Sequence, residues 1–416
     1  MIWFIKIILC FSLLYPSYIS MYGFGDYVED DYLRSSFIME SSDYLIENNF
    51  SPIWLDSKSI FSFQYNFRSS SLDSKSISKS YLSAISYSFP LKKSRYCTIG
   101  FNPYTISNAN FYDYNYKSLS TEDISTLNES IIYNSIYSNS GGISKAYIGL
   151  SSQFFNNFYI GLKFSSLFGN LEQNIKIRTY DLEYEINDEE VEGSYIYSAN
   201  DSILINRVNE YKGSSVQLES KYDYNDLEFL FSTTYNLPLQ VSSNYFYGSS
   251  LTNLEQIQTY IQPNQNIVYK NESMFKNFTL GLKYNLDDMS YTFLKLGKQN
   301  SFEYNSDSMY LPDPEIYSID IGYNLISKIF ISSKLNYMNY RLGAFYKVMK
   351  LQDISDYDYG VIFNYKIRLS DMNSYSFFVK AGNKTYNHID LDKERYYLVG
   401  LKLENLEKWF LKGVKK

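Results

Sequence analysis

Residues 141–169 read GGISKAYIGLSSQFFNNFYIGLKFSSLFG, and the second half alternates residue by residue. Phe158, Ile160, Leu162 and Phe164 fall on one side, with Tyr159, Gly161, Lys163 and Ser165 on the other. Strand side chains change face at every residue, so this segment is a strand with one apolar and one polar face. Upstream, Ile148, Leu150, Ser152 and Phe154 oppose Tyr147, Gly149, Ser151 and Gln153. Asn156-Asn157 between the two halves supplies residues that tolerate a tight turn. The unit is an antiparallel hairpin of strands about 10 to 13 residues long, near the reach of a membrane strand and above the usual ~5–6.

Composition agrees. Aromatic residues make up 19% of the 416, with 46 Tyr and 29 Phe, yet mean hydropathy is only -0.31. A membrane helix bundle would be far more apolar, whereas a barrel with a lipid-facing apolar row and a wet interior averages out near this value. After residue 20 no run of about 18 apolar residues occurs, so no membrane helix is expected. The net charge of -7 gives no basic footprint for nucleic acid. Cys10 and Cys97 are the only cysteines, and Cys10 falls in MIWFIKIILCFSLLYPSYIS, which has the outline of a secretory signal peptide over residues 1–20. Its removal leaves no pair for a disulfide within the chain.

Residues 21–57 are mixed and acidic and lack alternation, which resumes at Phe61, Phe63, Tyr65 and Phe67. Further strands are expected near 79–90, 95–106, 171–184, 194–210, 212–224, 226–236, 277–285, 291–298, 317–325, 329–340, 356–369, 373–386 and 394–404. Residues 107–140 and 238–266 read as long polar surface loops. The fold class is all-β: a transmembrane antiparallel barrel of 58–416, with about 14 strands or alternatively 16–18.

Tyr22-Gly23-Phe24-Gly25-Asp26, then Arg34, then Asn48–Pro52, then an alternating strand resembles the N-terminus of FadL-type outer-membrane transport proteins. The hairpin at 141–169 and Trp409-Phe410 are also similar to divergent members of that family. The resemblance implies a bacterial outer-membrane location, 14 strands, and residues 21–57 folded inside the barrel as a hatch. It also implies uptake of hydrophobic small molecules, fatty-acid-like or aromatic. Phe37, Ile38, Met39, Leu45, Ile46 and Phe50 of the hatch would then touch an apolar ligand, and Arg34 could hold a carboxylate.

The polar rows carry Lys163, Lys283, Asp320, Lys334, Lys366, Arg368 and Lys380, which are expected to face the lumen, since a lysine or arginine turned to lipid at the midplane costs ~2–4 kcal/mol. Catalysis finds little support. The single histidine, His388, lies two residues from Asp390, with no zinc spacing, Walker loop or dinucleotide fingerprint in the chain. The acidic stretch Ile186–Gly193 reads as a solvated loop tip, with Ca²⁺ binding the alternative. The expected protein is therefore a non-enzymatic, cofactor-free barrel surrounded by outer-membrane lipid and acting as a monomer. Two alternatives stay open: a FadL-like barrel serving as a secretion or assembly partner or surface adhesin, and an open porin.

Overall fold

The computed structural model describes residues 26–27, 59–72, 75–92, 95–119, 131–155, 157–185, 194–249, 265–269, 277–287, 289–299, 315–331, 334–351, 354–368, 373–385 and 393–407. The strands are β1 (Asp26–Tyr27), β2 (Ser59–Leu72), β3 (Lys75–Lys92), β4 (Arg95–Pro103), β5 (Thr105–Leu119), β6 (Ile131–Phe155), β7 (Phe158–Glu185), β8 (Ser194–Tyr224) and β9 (Leu227–Asn236). They continue with β10 (Leu239–Ser249), β11 (Gln265–Tyr269), β12 (Asn277–Asp287), β13 (Ser290–Gln299), β14 (Glu315–Ile331), β15 (Lys334–Leu351), β16 (Ile354–Arg368), β17 (Asn373–Thr385) and β18 (Glu394–Glu407).

Neighbouring strands pair antiparallel in order, and β18 returns to pair with β2 from Arg395↔Ser71 to Glu407↔Ser59, which closes the sheet. Taking β4/β5, β9/β10 and β11/β12 as three interrupted staves, and β1 as a short addition, fourteen staves close the barrel. Closure of this kind is how strands cross lipid. The long connections 120–130, 186–193, 250–264, 300–314 and 386–393 all lie at one end, with connections of a few residues at the other. Long loops mark the extracellular end and short turns the periplasmic end.

Alternation sorts the two faces as expected. Ile148, Leu162, Phe164, Leu218, Leu280, Ile321, Leu342, Val361, Phe363 and Phe377 are exposed on the outside. Two belts of tyrosine bound this band on β14–β18: Tyr317, Tyr346, Tyr357, Tyr359 and Tyr397 above, and Tyr323, Tyr340, Tyr365 and Tyr375 below. Apolar rings with polar tips favour both interfaces of a bilayer. Ring pairs such as Tyr346–Tyr357 at 6.2 Å and Tyr340–Tyr365 at 5.4 Å tie neighbouring staves at those levels. Of the lumen charges expected from sequence, Lys283, Asp320 and Lys380 are buried inside, while Lys163 and Lys366 are partly buried there. The side chains of Lys334 and Arg368 lie outside the described residues.

Several strand limits differ from expectation. The segment 107–140 is no loop, because β5 runs to Leu119 and β6 begins at Ile131. Likewise 238–266 contains β10 and the start of β11. The segments 171–184 and 194–210 are the outer parts of β7 and β8, of 28 and 31 residues, which continue unbroken into the membrane. At ~3.3 Å per residue these strands reach ~90–100 Å, well beyond an apolar band ~25 Å tall. Finally, 329–340 spans a reversal, since β14 ends at Ile331 and β15 starts at Lys334.

Candidate functional site

Two staves break on nearly the same register row, each at a proline-bearing step. β4 pairs with β6 up to Pro103↔Ser144, and β5 resumes with Ser107↔Gly141, so one extra residue sits on the β4/β5 side. Proline lacks the ladder N–H, and the extra residue makes a bulge that turns the strand. The bend is stitched back by Tyr104 N–H donating to the Ile143 carbonyl (2.7 Å) and Ile143 N–H donating to Thr105 Oγ1 (3.1 Å). Gly142 opposite has φ +148°, and a Cβ there would sit 2.2 Å from the Thr105 carbonyl oxygen. Only glycine fits this approach. On the other side, β9 gives way to β10 across Leu237-Pro238, with the Leu237 N–H on the Ser214 carbonyl (2.9 Å). The extra residue swaps faces, so Glu228, Ser232 and Asn236 are buried inside below the break, and Leu239, Val241 and Ser243 above it.

The first break opens the wall. β3 pairs with β4 only from Lys92↔Arg95 up to Ile85↔Phe101. Above that, Lys75–Ala84 of β3 is bonded to β2 alone, and among the described residues no ladder joins β3 to β5. β1 takes the β5 edge at the foot of this seam, Asp26↔Ile106 and Tyr27↔Thr105. The N-terminal segment therefore reaches the break itself, through backbone pairing.

Apolar surface flanks the seam on both sides. Inside, between the two breaks, Ile143, Leu167, Leu171, Tyr211, Leu239 and Val241 form one buried cluster with Tyr104 packed on it. Outside, directly below the seam, a groove of ≈ 490 Å³ is lined by Phe61, Ile85, Tyr87, Ile99, Phe101, Ile148 and Phe164 among others. A second inward apolar patch, Phe345, Ile362 and Tyr396, lies on β15–β18 with the Phe378–Leu398 pair. The ammonium of Lys380 stands 3.9 Å above the Phe345 ring there.

The periplasmic part of the lumen is charged and paired. Glu228 takes Lys221 Nζ at 3.1 Å and Lys283 Nζ at 2.5 Å, and Lys221 also reaches Asp223 at 3.1 Å. The Tyr159 and Tyr291 rings face these ammoniums at 5.4 and 4.5 Å. Arg341 donates to the Tyr291 hydroxyl at 2.7 Å, carrying the network on to β15. Around the circumference, Lys366 and Lys402 share Glu404 at 3.2 and 2.7 Å. An interior of this kind holds charge only because each group has a partner.

The residues expected to bind ligand, Arg34, Phe37, Ile38, Met39, Leu45, Ile46 and Phe50, lie outside the described residues, as do His388, Asp390 and Ile186–Gly193. The seam and the inner cluster were not read from sequence. Pro103 and Pro238 signal interruptions; alternation carried on from Tyr147 and Ser165 puts Ile143 and Leu167 inside, but nothing in the pattern showed that Leu239 changes face past Pro238.

A closed fourteen-stave antiparallel barrel with an apolar belt, tyrosine girdles and a bent third stave is an outer-membrane barrel, with a fold like that of FadL-type barrels. Among solved structures, a FadL homologue of Pseudomonas aeruginosa matches with TM-score 0.51 at 8% identity, over 85% of this chain and 90% of that one. The toluene transporters TodX of P. putida (TM-score 0.46, 11% identity, 87% and 92% covered) and TbuX of Ralstonia pickettii (0.45, 8%, 84% and 90%) are also similar. No curated protein sequence matches the chain. Residues 58–414 match the family model for BamG, and the chain belongs to the BamG family.

Proposed function

We propose that this barrel passes hydrophobic small molecules, fatty-acid-like or aromatic, from the extracellular side into the outer membrane through the seam between β3 and β5. It does so without catalysis or a cofactor. The observation that carries the reading is the unpaired stretch of wall with apolar surface on both sides, Ile143–Leu167–Leu239 within and Ile85–Ile99–Phe164 without. Below it the lumen wall carries the Lys221–Glu228–Lys283 pairs, a charged surface that offers an apolar solute no favourable contact. The sideways route runs between apolar surfaces.

In this reading residues 21–57 form the hatch, anchored at the seam by β1. Its Phe37, Ile38, Met39, Leu45, Ile46 and Phe50 line the ligand path. Arg34 from the hatch, or Lys380 in its apolar setting, holds a carboxylate when the ligand has one. The test is transfer of a fluorescent long-chain fatty acid and of toluene into proteoliposomes, beside swelling in sugar solutions. Transfer of the apolar probes without sugar flux, lost in a Phe37→Asp/Met39→Asp variant that keeps heat-modifiable mobility, supports the proposal. Sugar flux with no apolar transfer contradicts it.

A further inference from the structure

Several lumen lysines are balanced by carboxylates, whereas two lysines on the outside of the barrel are not. Lys298 on β13 and Lys350 on β15 flank Tyr317 of β14, with ammoniums 5.1 and 5.3 Å from the ring centroid. Register places them together: Lys298↔Tyr317 across β13–β14 and Glu315↔Lys350 across β14–β15. All three side chains belong to the outward set of their strands, alternating with the inward Asp320 of β14 and Phe345 of β15. Among the described residues neither ammonium has a carboxylate within ion-pair distance. The nearby carboxylate, Glu315, instead accepts the Tyr317 hydroxyl at 2.8 Å. By contrast the inward Lys221, Lys283, Lys366 and Lys402 are each ion-paired.

The height of the group matters as much as its charge. Tyr317 belongs to the upper tyrosine belt, and the lipid-exposed Ile319 and Ile321 lie just below it. Lys350 is exposed four residues above Tyr346 of the same belt. Two unpaired cations at the extracellular rim, facing outward, stand where lipid headgroups of the outer leaflet lie, with the lysine stems resting on the aromatic girdle. Cations at such positions attract anionic headgroups, and ammoniums suit phosphate as point charges. We propose that Lys298, Tyr317 and Lys350 form a binding site for an anionic, phosphate-bearing lipid headgroup of the outer leaflet. Such a lipid fixes this side of the barrel in its membrane, on the arc formed by β13–β15 and away from the β3–β5 seam.

The test is native mass spectrometry of the full chain released from detergent micelles, titrated with diphosphoryl lipid A, with phosphatidylcholine and with inorganic phosphate. Lipid A is expected to bind more tightly than phosphatidylcholine, and inorganic phosphate at equal concentration is expected not to displace it. A lysine near an anionic surface contributes about five-fold in affinity, so Lys298→Gln/Lys350→Gln should weaken lipid A by about 25-fold. The Lys298→Arg/Lys350→Arg variant should keep binding, and both variants should keep heat-modifiable mobility. Undiminished lipid A binding by the glutamine variant overturns the site. Equal retention of phosphatidylcholine, or displacement by inorganic phosphate, overturns the headgroup assignment.

Discussion

Replacing Ile321 by arginine is expected to destabilise the barrel in a way that depends on depth. Ile321 is 57% exposed on β14, between the outward Leu294 of β13 and Ala344 of β15 in register. It lies four residues below Tyr317 and two above Tyr323, so strand rise of ~3.4 Å and tilt of ~40° put it ~10 Å under the upper belt. It is also ~5 Å above the lower belt by the same rise, so it lies inside the apolar band, where an arginine costs up to ~2–4 kcal/mol. At 1.4 kcal/mol per tenfold, the ratio of folded to unfolded protein falls by about 30- to 700-fold, while the same change at Tyr317, in the interface, costs ~0–1 kcal/mol. Urea unfolding of the barrel in phospholipid vesicles, followed by tyrosine fluorescence and by mobility of unheated samples, measures both. Equal losses at 317 and 321, or a loss at 321 below ~1 kcal/mol, would refute the placement of β14 and with it the assignment of faces.

Three further outcomes can be checked with the same unfolding assay. Glu228→Gln leaves Lys221 and Lys283 with only part of their compensation, and should cost ~3–5 kcal/mol, a loss partly restored by adding Lys283→Met. Thr105→Val strips the acceptor from the buried Ile143 N–H, so stability should fall by ~1–3 kcal/mol, with Thr105→Ser close to wild type and faster amide exchange at Ile143 in the valine variant only. Gly142→Ala, whose Cβ would lie 2.2 Å from backbone oxygen at φ +148°, should be much more disruptive than Gly343→Ala, where the nearest atom is at 3.0 Å; similar effects at both sites would deny the tight bend.

What could be read from sequence followed from where water is. In the membrane a strand has one face in lipid and one in the lumen, so Phe278–Tyr284 and Tyr317–Leu325 show clean alternation and their strands were found. The outer parts of β5 and β6 stand clear of the bilayer, where neither face needs apolar residues, and their Asn-, Ser- and Tyr-rich sequence resembles a loop. The Ser332-Ser333 reversal was hidden because alternation continues on both sides of it. The inner cluster escaped for the opposite reason. Ile143 and Leu167 are as apolar as any lipid-facing residue although their parity is inward, and the one-residue bulge that turns Leu239 inward leaves no compositional mark. The hatch residues 34–50 remain a sequence-based expectation.

The seam is open because β4/β5 carries one residue more than β6 opposite it. Deleting Tyr104 brings both halves into one register with β6 and lets β5 continue beside β3, whereas Tyr104→Ala keeps the extra residue and loses only the ring. Transfer of a fluorescent fatty acid and of toluene into proteoliposomes should be abolished by the deletion and retained by the alanine variant, with both proteins still folded by heat-modifiable mobility. Undiminished transfer through the straightened wall would contradict a lateral route through β3 and β5.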